Sequence, residues 1–187
     1  MKNPKVSFII PSFNCAAFLP HAVKSCQEQT YPNIEIVIVD DASTDTTGEY
    51  LKWLSAQKDQ RIKIIRNEKN LGRSASRNIG NKAATGTILA VLDADDLAVS
   101  TRAEWTAKKM TTCQMVYGSA VVMDALGNAL NEINAGPIDF AKCVESKMNG
   151  IVHSSVAYTK DIALKFPYSE GKVASLGLDD YELEIRL

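Results

Sequence analysis

The sequence predicts an α/β fold in which a mainly parallel sheet carries helices on both faces. Short, continuous apolar runs alternate with helix-period segments through the first hundred residues. Apolar runs without polar alternation are typical of strands that are buried on both faces. Right-handed crossovers then place the intervening helices over the sheet. The predicted strands are VSFII (6–10), IEIVIV (34–39), IKII (62–65) and TILAVL (87–92).

The segments between these runs carry helix signals. In the first segment Leu19, Ala22, Val23 and Cys26 form one apolar stripe, and Pro20 is tolerated in the first turn. Thr46 with Glu49 fits a capping box at the start of the second helix. Ala75, Ile79 and Ala83 form the apolar stripe of the third helix, and Gly86 fits its C-terminal cap. Thr101 with Glu104 fits a capping box at the start of the fourth helix.

The second half of the chain is less regular. Residues 115–123 and 151–159 have strand-like composition, and Gly127 predicts a hairpin turn at 125–128. The alternation of polar and apolar residues in 181–187 also favours a strand. We expect one domain over 1–187, with a first half at 1–96 and a second half at 97–187, because 187 residues are few for two cores.

Composition excludes several functional classes. The chain has 21 basic and 22 acidic residues, a net charge of −1, so it offers no overall attraction to nucleic acid. The four cysteines are widely spaced, which argues against a zinc site or a disulfide framework. We expect reduced, mostly buried thiols in a cytoplasmic protein. The N-terminal apolar run of 6–10 is too short for a signal peptide, and no window predicts a membrane span.

Two acidic clusters follow predicted strands. Asp40 and Asp41 come after the second strand, and Asp93, Asp95 and Asp96 come after the fourth. Ligands of such sheets bind beyond the carboxyl ends of the strands, so both clusters should lie at one edge. Five carboxylates there favour a divalent cation, and an all-oxygen set favours Mn²⁺ or Mg²⁺. The alternative is that these aspartates only cap the helices that follow them.

Four segments in order resemble family 2 of the nucleotide-sugar glycosyltransferases, which have the GT-A fold. They are VSFIIPSFN, IEIVIVDDASTD, RNEKNLGRSASRNIGNKAATG and TILAVLDADD, and they run from about residue 6 to 96. The segments HSSVAYT (153–159) and LDDYELEIRL (178–187) also resemble later parts of the family. The resemblance implies a metal-dependent, inverting enzyme and a domain that continues beyond Leu187.

The resemblance implies roles for residues of the donor side. Pro11, Phe13 and Asn14 match the turn that binds the nucleotide sugar, with the Phe13 ring against the base, although Phe13 could instead pack beneath its loop. Asp41 matches the residue that accepts a hydrogen bond from the base. Asp93 matches the residue near the ribose. Two further matches concern the metal: Asp95 would be its ligand, and Asp96 would orient its neighbours.

Arg73 and Arg77 lie one helical turn apart and could balance the charge of the acidic edge, which is the role we favour. Alternatively they could contact the donor, and Arg77 is the candidate nucleotide-sugar-binding residue of the two. His153 matches a histidine on the acceptor side of the family site, although a lone histidine among apolar residues is more often a hydrogen-bonded core residue. Asp179 and Asp180 match an acidic pair that opens a helix and lies near the acceptor. The second member, Asp180, would be the catalytic base, and 180–187 should then be helical.

The predicted function is therefore transfer of a sugar from a nucleotide diphosphate sugar, with UDP favoured, to the hydroxyl of a saccharide or lipid-linked saccharide. Bacterial surface polysaccharide or glycolipid assembly, cytoplasmic or at the inner face of the membrane, is the expected setting. The alternatives are a nucleotidyltransferase and a non-catalytic nucleotide-sugar-binding protein. The turn PSFNCAAF lacks the glycines and basic residues of a phosphate loop, which argues against the nucleotidyltransferase and a dehydrogenase.

Overall fold

A computed structural model describes residues 3–124, 126–136, 151–171 and Leu183. The first elements are β1 (Val6–Ser12), α1 (Leu19–Gln27), β2 (Ile34–Asp40), α2 (Thr47–Ala56), β3 (Ile62–Arg66), α3 (Arg73–Ala83), β4 (Ile88–Val91) and α4 (Arg102–Lys109). They are followed by β5 (Met115–Val116), β6 (Ala120–Met123), β7 (Ala129–Ile133), a 3-10 turn (His153–Ser155), β8 (Ala157–Thr159) and α5 (Lys160–Lys165).

The central sheet has six strands in the order β3-β2-β1-β4-β8-β5. Strand β1 pairs in parallel with β2 and β4, and β2 pairs in parallel with β3. Strand β8 is antiparallel to both of its neighbours. Because Ser12 is in register with Asp40, and Asp40 with Arg66, the loops after β1, β2 and β3 leave from the same edge. The predicted mainly parallel α/β fold is confirmed.

The two faces of the sheet carry separate cores. Alternate residues of β1 (Val6, Phe8 and Ile10) pack in one apolar cluster with side chains from α1, α2 and α4. Ile9 points the other way, into a cluster on the side of α3 and α5. Side chains of a strand alternate between faces, so this division follows directly from the period of β1.

The first helix has the predicted apolar stripe, because its four stripe residues are the ones it buries. Helix α3 lies close to the sheet at Gly80, where an added Cβ would lie 2.6 Å from the Ile9 Cγ2 atom. Any larger residue at this crossing would have to displace the Ile9 side chain. The predicted hairpin turn is also present: Gly127 has a φ of 86°, and its N–H donates to the Asp124 carbonyl at 3.0 Å.

Three local predictions were wrong. Only 157–159 of the predicted strand 151–159 forms a strand, because the Ser155 N–H bonds back to Val152 and closes a 3-10 turn. Thr46 and Thr101 are N-caps, but neither side chain makes a capping hydrogen bond. The cysteines are not mostly buried in the described part, since only Cys26 is buried, Cys15 is half-buried and Cys113 is exposed. Among the described residues, no helix is long and apolar enough to cross a membrane.

Candidate functional site

A cavity of about 360 Å³ opens at the carboxyl edge of the parallel strands. The loops after β1, β2, β3 and β4 all contribute to its wall. The lining residues are Pro11, Ser12, Phe13, Cys15, Asp41, Asn70, Gly72, Arg73, Ser76, Asp93, Ala94 and Asp95. The structure thus brings together most of the predicted donor-side residues.

Asp41 organises the loop that leads into α3. Its Oδ1 accepts hydrogen bonds from Asn67 Nδ2 at 2.8 Å and from the Leu71 N–H at 2.9 Å. Its Oδ2 accepts from the Gly72 N–H at 2.8 Å, directly before the helix begins. A carboxylate offers about four lone pairs, so these three bonds leave Asp41 able to accept one further donor from the cavity.

The turn after β1 divides its residues between the cavity and the neighbouring loop. Phe13 lines the cavity and is 44% exposed, so it does not pack beneath its own loop. Asn14 has a φ of 52°, and its Oδ1 accepts from the Thr44 N–H at 2.8 Å and the Asp45 N–H at 3.3 Å. Asn14 is not among the lining residues, and it holds the loops after β1 and β2 together.

Arg77 pairs with Asp93 from beneath the cavity. The Arg77 Nη2 atom lies 2.6 Å from Asp93 Oδ1, and the arginine is completely buried. Burial opposes the ionisation of Asp93, but the charge and hydrogen bond of Arg77 outweigh it and lower the pKa of Asp93 below its usual value. Since Arg77 does not line the cavity, this geometry favours a role in balancing the acidic edge.

The five clustered carboxylates have different surroundings. Asp40 is buried, accepts from the Ser43 N–H, and lies 3.5 Å from Arg66 Nε. With Asp41 and Asp93 also bonded to the protein, repulsion is already relieved at three positions. Burial raises the pKa of Asp96, and the charges of Asp93 and Asp95 add to this rise.

The surroundings of Asp95 fit a metal ligand. Asp95 is exposed on the cavity wall, and no hydrogen bond from the described residues reaches its carboxylate. Mg²⁺ and similar ions are usually held by one or two carboxylates together with substrate phosphates. No group of three or more metal-ligating side chains occurs in the described ranges.

Arg102, which the sequence analysis did not single out, supports the segment behind the acidic cluster. Its Nη2 atom donates to the Val91 carbonyl at 2.6 Å and lies 3.3 Å from the Val156 carbonyl. Its guanidinium also lies over the Phe8 ring at 5.7 Å. Burial lowers the pKa of Arg102 to about 10, where it is still protonated at neutral pH. No sequence signal identified it, since an arginine in a first helical turn is usually solvated.

His153 lies in a buried polar network. Its Nε2 atom is 2.7 Å from the Tyr168 hydroxyl, which is 2.9 Å from the Tyr158 hydroxyl. His153 is only 6% exposed, as expected for a hydrogen-bonded core residue. The tyrosines were missed because nothing in the sequence links them to His153. Asp179 and Asp180 lie outside the described residues, whereas Leu183 is helical and buried, which agrees with the helix predicted there.

Comparison with known proteins assigns the family. The model of glycosyl transferase family 2 matches residues 7–127. An uncharacterised glycosyltransferase of Haemophilus influenzae is 30% identical over 170 residues, covering 89% of this chain and 68% of the relative. Another, from Methanocaldococcus jannaschii, is 32% identical over 192 residues, covering 100% of this chain and 65% of the relative. The chain belongs to glycosyl transferase family 2.

Solved structures show the same fold. S. aureus TarS 1–349 in complex with UDP superposes with a TM-score of 0.75 at 18% identity, covering 97% of this chain and 54% of that chain. The mannosyltransferase PcManGT from Pyrobaculum calidifontis, in complex with GDP-Man and Mn²⁺, gives a TM-score of 0.68 at 22% identity. This superposition covers 100% of this chain and 52% of the PcManGT chain. The fold is therefore that of the GT-A glycosyltransferases, and the chain spans about half of these two structures.

Proposed function

We propose that this glycosyltransferase domain transfers a sugar from a UDP-sugar to an acceptor hydroxyl with inversion at the anomeric carbon. The observation that carries the proposal is the cavity at the carboxyl edge, which combines an exposed aromatic ring, a carboxylate with one remaining lone pair and an exposed aspartate. The base and a cation each have a matching wall in this arrangement, and the diphosphate would bind through the cation.

The base-binding part of the proposal rests on Phe13 and Asp41. The exposed Phe13 ring offers an apolar face against which a base can stack. Asp41 retains an acceptor position for the ring N–H of uracil, and a base without that donor would leave the carboxylate unpaired. The complex of TarS with UDP supports the choice of nucleotide, although PcManGT binds GDP-Man.

Asp95 would hold Mn²⁺ or Mg²⁺ together with oxygens of the diphosphate. A bound cation supplies positive charge that stabilises the departing diphosphate. Beneath it, Arg77 keeps Asp93 ionised and in place, so that Asp93 can accept hydrogen bonds from the ribose. The Mn²⁺ in the PcManGT complex supports the use of a divalent cation at such a site.

The acceptor side is assigned to 97–187, with Asp179 near the acceptor and Asp180 as the base that takes the proton of the attacking hydroxyl. A bacterial surface saccharide or a lipid-linked saccharide, assembled at the cytoplasmic face of the membrane, is the proposed acceptor. Asp180→Asn should keep its affinity for UDP and lose transfer about a hundredfold or more, because general-base assistance contributes roughly 10²–10⁴. Normal transfer by this variant would remove Asp180 from the proposal.

The test of donor binding is calorimetry with UDP in EDTA and in Mn²⁺. The wild type should bind UDP at least tenfold more tightly with Mn²⁺, because the cation relieves repulsion between the diphosphate and the carboxylates. Asp95→Asn should lose most of that gain. Asp161→Asn, at an exposed aspartate of α5, is the matched control and should behave as wild type. Equal UDP affinity with and without Mn²⁺ would exclude a metal role for Asp95.

A further inference from the structure

Tyr168 is fastened to α3 although 90 residues separate it from Asn78. The Tyr168 N–H donates to Asn78 Oδ1 at 2.9 Å, and Asn78 Nδ2 donates back to the Tyr168 carbonyl at 2.9 Å. Both backbone groups of Tyr168 are thus held by one buried amide side chain. The position of the chain at 168 is therefore set by α3.

The Tyr168 side chain continues the connection in two directions. Its hydroxyl contacts His153 and Tyr158, at 2.7 and 2.9 Å. The face of its ring lies 5.3 Å from the Arg77 guanidinium, which is bonded to Asp93 on the cavity wall. The ring is 98% buried, since only 2% of the residue is exposed. Tyr168 thus contacts both His153 and Arg77, the partner of Asp93.

The Tyr168 hydroxyl has a hydrogen-bonding partner on each side. Asn81 Nδ2 lies 3.5 Å from the Tyr158 oxygen, and the Tyr158 and Tyr168 hydroxyls are 2.9 Å apart, where either can donate. Each hydroxyl has one hydrogen to donate. The contact between Tyr168 and His153 Nε2 therefore favours a single imidazole tautomer: a Tyr168 hydrogen directed to Nε2 places the imidazole proton on Nδ1, and an Nε2–H directed to Tyr168 places it on Nε2.

We propose that Tyr168 is a positioning residue: its hydroxyl holds the His153 ring in one tautomer, and its ring couples His153 to the Arg77–Asp93 pair of the donor site. The proposal rests on the proposed function in one respect, because it takes the donor to bind beside Asp93. Donor binding then reaches the acceptor side through Asp93, Arg77, Tyr168 and His153, which are in successive contact.

The test uses ¹⁵N NMR of histidine side chains in the 187-residue chain. The chain has two histidines, and His21 is exposed on α1, so it serves as an internal reference. In the free wild type His153 should show a single tautomer, and Tyr168→Phe should lose this preference. Tyr31→Phe is the matched control, because the Tyr31 hydroxyl donates to the Pro4 carbonyl at 2.7 Å, outside the network.

Saturation with UDP and Mg²⁺, chosen because it is diamagnetic, tests the coupling. The wild-type His153 signals should shift while those of His21 stay in place. In Tyr168→Phe the His153 shift should fall by at least half, with UDP affinity within threefold of wild type. A full His153 response in Tyr168→Phe, or no response in a wild type that binds UDP, would overturn the coupling.

Two controls separate the possible failures. If the wild type does not bind UDP, the proposed function fails. The spectra of the free proteins still test the contact between Tyr168 and His153, and the same His153 tautomer in wild type and Tyr168→Phe would overturn that contact. If Tyr168→Phe does not fold, Tyr158→Phe replaces it. That variant removes the second hydroxyl partner of Tyr168, so it should also change the tautomer ratio of His153, and an unchanged ratio there overturns the proposal.

Discussion

Helices α1 and α3 cover opposite faces of the same sheet and bury opposite kinds of surface. The buried residues of α1 are all apolar: Leu19, Ala22, Val23 and Cys26. Those of α3 include five polar side chains, namely Ser74, Ser76, Arg77, Asn78 and Asn81. Burying a polar group without a partner costs free energy, so α3 depends on hydrogen bonds that α1 does not need.

The partners of α3 explain why it can be polar. Arg77 bonds to Asp93, Asn78 to Tyr168, and Asn81 to Tyr158. Two acids anchor its ends: Asp41 accepts from the Gly72 N–H before the helix, and Glu35 accepts from the Thr85 N–H after it. The comparison teaches that α1 stabilises the sheet, whereas α3 also positions the cavity wall.

The largest expected effect is on α1. Leu19→Ala should lower the free energy of unfolding by about 2–5 kcal/mol, because Leu19 is fully buried in the apolar core. Chemical denaturation measures this loss. UDP affinity of the folded variant should be unchanged, since α1 contributes nothing to the cavity wall. A parallel loss of UDP affinity would show that α1 is not purely structural.

A smaller effect is expected on α3. Gly80→Ala should lower the free energy of unfolding by about 1–3 kcal/mol, because the added methyl would overlap the buried Ile9 side chain. This cost exceeds the gain of up to about 1 kcal/mol that alanine brings to a helix. In an Ile9→Ala background, which removes the overlapping atom, Gly80→Ala should cost clearly less. Equal costs in both backgrounds would place the strain elsewhere.

The smallest effect concerns Glu35 and depends on pH. Burial opposes the ionisation of Glu35, but hydrogen bonds from Ser7 and Thr85 outweigh it and lower its pKa below 4.5. Its contribution to stability is therefore present above pH 4.5 and lost as pH falls through the lower, folded-state pKa. Glu35→Gln should be less stable than wild type at pH 7, by an amount that shrinks in denaturation at acid pH. A constant difference would contradict the assignment.

The sequence predicted the apolar half of the fold well. The strands β1 to β4 and the stripe of α1 follow from period alone, because their partners are apolar side chains that need no specific geometry. The predicted stripe of α3 was less informative: Ala75 is buried, but Ile79 and Ala83 are only partly so, while Arg77 and Asn81 are fully buried.

Only part of the site was predicted, because a sequence pattern reports local structure and not contacts between distant residues. Asp41, Asp93 and Asp95 were found because they follow recognisable strands, and Phe13 was found because its turn resembles that of the family. All four residues line the cavity. Tyr168 and Arg102 were not found, because their roles depend on contacts with residues far away in the sequence. Tyr168 is bonded to Asn78, and Arg102 is bonded to the Val156 carbonyl. Pattern and propensity act locally, whereas these hydrogen bonds are products of the assembled fold.

The most direct test of the difference between α1 and α3 is the affinity for UDP in Mn²⁺ of two matched variants. Arg73 and Lys24 are both exposed cations on helices, but only Arg73 lines the cavity. Arg73→Ala should weaken UDP binding about tenfold, or about 1.4 kcal/mol, and Lys24→Ala should leave it unchanged. If calorimetry finds equal UDP affinities for the two variants, α3 does not line the donor site and the account is contradicted.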